Sequence, residues 1–132
     1  MLKINNQEYS LISAEIKLTN ATCNKIKGYS PVVILKFERN NIKGYIDIYF
    51  RDIYKDIDFN VLINKIIKTT PTDFEAEIDC IEIFDTNNFI DFIDSEIILE
   101  FKNVVNNNLE TKLIIDDDLI KVEYEGELRL VY

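Results

Sequence analysis

The chain has 132 residues, 47% hydrophobic and 30% charged, and its 24 acids against 15 bases leave a net charge of -9. That composition excludes disorder and supplies one core but not two, so residues 1–132 read as a single domain. Histidine is absent, which removes the usual general base, every His-dependent triad and every zinc site with His ligands.

Residues 1–10 hold one lysine and no apolar run behind it, and no stretch approaches the roughly 18 to 20 apolar residues of a membrane span. The expectation is a cytoplasmic protein with Cys23 and Cys80 as free thiols. Residues 2–4 form a short candidate strand. In residues 11–19, Ile12, Ala14, Ile16 and Leu18 alternate with Ser13, Glu15, Lys17 and Thr19, the pattern of a strand with one apolar face. The polar stretch 20–31, with Gly28 and Pro31, reads as a loop.

Residues 32–39 and 42–50 flank Asn40 and Asn41, two residues that tolerate the positive φ of a type I′ turn. With those two at the tip, Phe37 faces Gly44, Leu35 faces Ile46, Val33 faces Ile48, and Glu38 lies across from Lys43. On the opposite face Tyr45 and Tyr49 are either binding anchors or covered by a helix, and cover is the favoured reading. Asp58 is the candidate N-cap of an amphipathic helix over about 58–68, its stripe made by Phe59, Leu62, Ile63 and Ile66. Such a stripe must bury itself against a sheet.

Residues 74–84 alternate until Cys80, where the apolar parity changes; a β-bulge near Cys80 or a strand end covered on both faces accounts for this. Residues 85–95 suit either a short helix or an irregular lid. Residues 96–104, 108–116 and 119–132 make a meander. Matching apolar faces across residues 106–108 puts Phe101 against Leu109. A turn at Asp117 and Asp118 puts Ile115 against Ile120 and Leu113 against Val122. The last strand is about twice the usual length, so its overhanging half needs a further partner, assigned to strand 11–19. Gly126, near its middle, marks a bend or a close backbone approach. The predicted fold is α+β, mainly β: an antiparallel sheet of about six or seven strands, strongly bent or partly closed, with one helix packed on it.

Residues 1–55 carry a net charge of +4 and residues 56–132 a net charge of -13, while residues 69–101 contain ten acids and no base. The predicted registers line up Glu100, Glu110 and Glu125 across three strands, flanked by Glu123 and Glu127, with Lys112 opposite Glu123. Glu75, Glu77 and Asp79 form a second line. These eight carboxylates are the candidate partner-binding residues. Two other readings compete: solvated faces that aid solubility and discourage edge pairing, and a calcium or magnesium site. Asp116, Asp117 and Asp118 read as a turn rather than a metal loop. The charge repels nucleic acid and anionic membranes and attracts a basic protein.

No catalytic residue, metal or cofactor is assigned. Asp79 with Glu82, or Asp91 with Asp94, could serve a carboxylate-pair hydrolase, but acids this numerous produce pairs by chance. A Cys80 nucleophile is disfavoured by its acidic neighbours. In class character, not in matched residues, the chain resembles immunity proteins that neutralise bacterial toxins and phage-encoded inhibitors of nucleases. The functional expectation is a non-enzymatic inhibitor of a basic, toxin- or nuclease-like partner; the alternative is an assembly subunit of a phage or secretion particle, with a metal-dependent hydrolase behind both.

Overall fold

The computed structural model describes residues 1–23, 25–50, 54–55, 58–70, 73–74, 76–83, 88–90, 96–116, 118 and 120–132; for 21–23, 26, 69–70, 73–74, 76–83 and 88–90 only the backbone is considered. The chain is mainly β. Among the described residues there are eleven strands, more than the six or seven expected: β1 (Leu2–Ile4), β2 (Gln7–Cys23), β3 (Ile26–Arg39), β4 (Ile42–Phe50), β5 (Ile66–Thr70), β6 (Asp73–Phe74), β7 (Ala76–Ile83), β8 (Asn88–Ile90), β9 (Glu96–Val105), β10 (Asn108–Asp116) and β11 (Lys121–Val131). They form one sheet in the order β6-β5-β9-β10-β11-β1-β2-β3-β4-β7-β8, which curls until β5 lies beside β7. Among the described residues all strand pairings are antiparallel except one, where Arg129, Leu130 and Val131 run parallel to Glu15, Ile16 and Lys17.

The first and last strands meet at the centre of this sheet. β11 pairs with β1 through Leu2 opposite Tyr124, then passes to β2, as its length requires. Asparagine makes the tight turns. Asn5 and Asn6, Asn40 and Asn41, and Asn106 and Asn107 all have φ between 50 and 67°, the left-handed region that asparagine enters more readily than most residues. The β3–β4 hairpin has the register read from its turn, Phe37 opposite Gly44 and Glu38 opposite Lys43. In the β4–β7 pairing the register slips between Asp47 opposite Cys80 and Ile48 opposite Ile78, the bulge expected near Cys80.

Four expectations are corrected. The helix over 58–68 is a single 3-10 turn, Phe59–Leu62, followed by β5. Asp58 does cap it, accepting from the Asn60 amide at 2.9 Å, but Asn64 takes a φ of 62° and ends it. The β-branched run from Ile66 then pairs with β9, which buries Ile67 and leaves Ile66 52% exposed. Most of the loop expected over 20–31 is strand: 20–23 belong to β2 and 26–31 to β3, paired with Leu18 opposite Pro31 and Cys23 opposite Ile26. Ile12 points outward, 54% exposed, because a bulge between Leu11 and Ser13 removes it from the alternation. Among the described residues no helix covers the outer face of the β3–β4 hairpin, and Tyr49 is 42% exposed. Of residues 85–95, only Asn88–Ile90 lies within the described residues, as a strand.

The inner face carries the core, including Leu2, Ile16, Leu35, Phe37, Ile46, Leu99, Phe101, Leu113, Val122 and Leu128. A curled sheet leaves one side open, and the 3-10 turn fills it with Phe59 and Leu62, both buried. The Asn64 amide donates to the Lys102 carbonyl and the Phe101 amide to the Lys65 carbonyl, fixing that plug to β9. The Phe59 ring meets Tyr132 edge-on at 4.9 Å. No helix among the described residues is long and apolar enough to cross a membrane.

Candidate binding surface

The outward positions of β9, β10 and β11 hold five of the eight candidate carboxylates, and the register decides their neighbours. A two-residue turn at Asn106 and Asn107 pairs Val105 with Asn108, and a bulge then shifts β9 so that Phe101 faces Thr111. The other end of β10 closes at Asp116 opposite Lys121, which makes the connection to β11 four residues long instead of two. Each expected register is therefore displaced by two residues. A two-residue slip keeps every side chain on its face, so the core pattern survives while the outer partners change.

The consequence is chemical. Glu100 lies opposite Lys112, and Lys112 lies opposite Glu125, so the line expected to be three carboxylates has a cation at its centre. Glu110 instead faces Glu127. Glu123, expected opposite Lys112, lies between Ile114 and Lys3 and is paired with Lys121 at 3.2 Å. Glu100, Glu110 and Glu123 are half-buried, Glu125 and Glu127 exposed. With strands about 4.8 Å apart, Glu100 and Glu125 originate about 10 Å from each other on either side of the Lys112 strand.

Around this line the outward carboxylates are Glu96, Glu100, Glu110, Asp116, Glu123, Glu125 and Glu127, and the cations are Lys3, Lys102, Lys112, Lys121, Arg129 and the Met1 amine. Cations interleave the acids along the Glu100–Lys112–Glu125 line, whereas Glu110 and Glu127 meet as like charges, and seven carboxylates stand against six cations. A shallow groove of about 390 Å³ lies on it between Met1, Lys3, Lys112, Ile114, Glu123 and Glu125. A second hollow of about 320 Å³ lies beside Lys102, Glu110, Gly126 and Glu127. The Met1 amine donates to the Glu125 carbonyl at 2.7 Å, tying the groove's floor to β11. At the far end of β11, Arg129 is hydrogen-bonded and ion-paired to Glu15, and holds the Glu15 carboxyl below its ordinary range.

The acid-only run has a different destination. Its strands β6, β7 and β8, with the end of β5 and the start of β9, lie toward the two margins of the sheet, which approach each other where β5 meets β7. Asp73, Glu77, Asp79 and Glu82 occupy strand positions along these margins, and Glu75 lies outside the described residues. Sequence reasoning located this charge but not its division between the two margins, β6 on one side and β7 with β8 on the other, which only the strand order fixes. Among the described residues no group of three or more acids or thiols has metal-binding geometry. No family model, curated protein or solved structure matches the chain.

Proposed function

We propose that the chain is a non-enzymatic acidic binding protein that inhibits a basic partner protein by covering its active or nucleic-acid-binding site. The observation supporting this reading is that Asp73, Glu77, Asp79 and Glu82, all from the base-free run 69–101, occupy strands toward the margins of the curled sheet, outside the strands that carry Lys112 and its partners. A border rich in carboxylates attracts a cationic surface, speeds encounter and repels anionic competitors. Glu75, Glu77 and Asp79 are the principal contacts; Glu100, Glu110, Glu123, Glu125 and Glu127 are secondary, since cations interleave them.

The test is co-expression with the product of the adjacent open reading frame. A complex that weakens with salt, and weakens further when Glu75→Gln, Glu77→Gln and Asp79→Asn are combined, is the expected result. A complex indifferent to both salt and that triple variant would remove the reading.

A further inference from the structure

We infer that the outward face of β4, where Tyr45 and Tyr49 stand beside the acid-bearing strand β7, receives arginine side chains from an extended segment of the basic partner. The inference rests on the reading above and assigns its recognition chemistry. Burial alternates along β3 and β4: Val33, Leu35, Ile46 and Ile48 belong to the interior cluster, so Val32, Ile34, Tyr45 and Tyr49 fall on the other face. Tyr49 is 42% exposed, and Tyr45 and Ile34 are half-buried. Val32, opposite Tyr49, is 2% exposed although it stands outside the interior cluster. The outer face here is therefore an apolar platform with phenol rings at its surface.

The register gives this platform two unlike flanks. Toward β2 lie the lysines: Lys43 is opposite Glu38, while Lys17 and Lys36 act on Glu15, whose carboxyl Arg129 chiefly holds low. Toward β7 lie acids: Glu77 occupies the position opposite Tyr49 and Glu82 the position opposite Tyr45, with Asp47 between the two tyrosines. β7 belongs to the run 69–101, which contains no base. A cation approaching Tyr45 and Tyr49 from that flank meets carboxylate-bearing positions and ring faces together.

That combination selects arginine. A guanidinium stacks flat on a tyrosine ring while its edge bonds a carboxylate in two places, whereas an ammonium is a compact, strongly hydrated point charge. Carboxylates without rings attract lysine and arginine alike; the tyrosines make the difference, and tyrosine and arginine are the residues that most often anchor interfaces. Four strand residues separate Tyr45 from Tyr49, about 13 Å, a spacing that an extended segment matches with its own alternate side chains.

The experiment titrates the intact chain with blocked hexa-arginine, hexalysine and hexaglutamate peptides and follows the ring signals of Tyr45 and Tyr49 by NMR. Hexa-arginine should bind most tightly, shift both rings, and lose about fivefold in affinity in the Tyr45→Leu, Tyr49→Leu variant. Tyr45→Phe, Tyr49→Phe should keep the arginine preference, because the ring faces remain. Circular dichroism of each variant, unchanged from the parent, separates lost binding from lost folding. Equal affinity for hexa-arginine and hexalysine, with both lost in Glu77→Gln, Glu82→Gln, would overturn the role of the rings and leave the acidic reading standing. Failure of both cationic peptides to bind, equal binding of hexaglutamate, or concentration-dependent self-association that shifts the same rings would also overturn the proposal, and co-expression with the adjacent gene product then decides the broader reading.

Discussion

Tyr124 lies over Gly126: a Cβ at position 126 would sit 2.8 Å from the Tyr124 hydroxyl oxygen and 3.0 Å from its Cζ. The ring covers the glycine while its hydroxyl donates to the Glu127 carbonyl at 2.7 Å. Gly126→Ala forces the ring aside, and should cost about 1–3 kcal/mol in urea unfolding, as overpacking does. In a Tyr124→Leu background that cost should largely vanish, and a double-mutant cycle reads the coupling.

The same burial pushes the Tyr124 phenol up to about 12 from its ordinary 10.0, with the Glu127 carboxylate adding to the shift. A phenol whose folded pKa exceeds its unfolded one binds its proton more tightly when folded, so its contribution is whole below pH 10 and is lost as pH rises toward 12. Spectrophotometric titration should show a late component that is missing from Tyr124→Phe, a variant that also gives up a hydrogen bond of about 1 kcal/mol.

Arg129 and Glu15 join β11 to β2. The hydrogen bond from Arg129 lowers the Glu15 pKa from its ordinary 4.5, so the contribution is present above pH 4.5 and disappears as pH falls through the lower folded value. Arg129→Ala should raise that pKa, read from the Glu15 carboxyl shift in NMR, and cost roughly 0.2–1 kcal/mol at neutral pH, the range of exposed pairs.

Lys112 separates Glu100 from Glu125. Lys112→Glu sets three carboxylates in line and should destabilise by about 1 kcal/mol at low salt, since like charges directly opposite are unfavourable. High salt should recover most of the loss, whereas Lys112→Gln should change little; thermal melts at two ionic strengths separate the cases.

Asn107 holds a φ of 63°, its carbonyl accepts from the Leu130 amide at 3.1 Å, and its side-chain amide reaches the Leu130 carbonyl. Asn107→Ala should cost about 1–2 kcal/mol for the left-handed backbone. Asn107→Gly should retain most of the stability, as denaturant midpoints would show.

What could be read from residues alone was alternation and turn chemistry. The β3–β4 register followed because Asn40 and Asn41 fix the turn length, and the long β11 needed two partners because no single neighbour matched it. The meander registers did not follow. Apolar matching cannot tell a pairing from one displaced by two residues, and both the bulge after Leu109 and the longer connection before Lys121 cause that displacement. Phe59, Leu62 and Ile63 fitted a helical stripe, but Asn64 and the β-branched run behind it prefer a turn and a strand. The candidate carboxylates kept their faces and lost their predicted neighbours.

The meeting of β1 with β11 governs how the molecule assembles itself. The Met1 amine and the Glu125 carbonyl are 124 positions apart, whereas hairpins with two-residue tips close locally, in about 1–10 μs. Refolding should show early strand signal and a slow final phase on the millisecond-to-second scale of nonlocal topologies. Until that last docking is complete, β11 and β1 each display an unsatisfied border, so crowded refolding mixtures should lose material to aggregation in proportion to the delay.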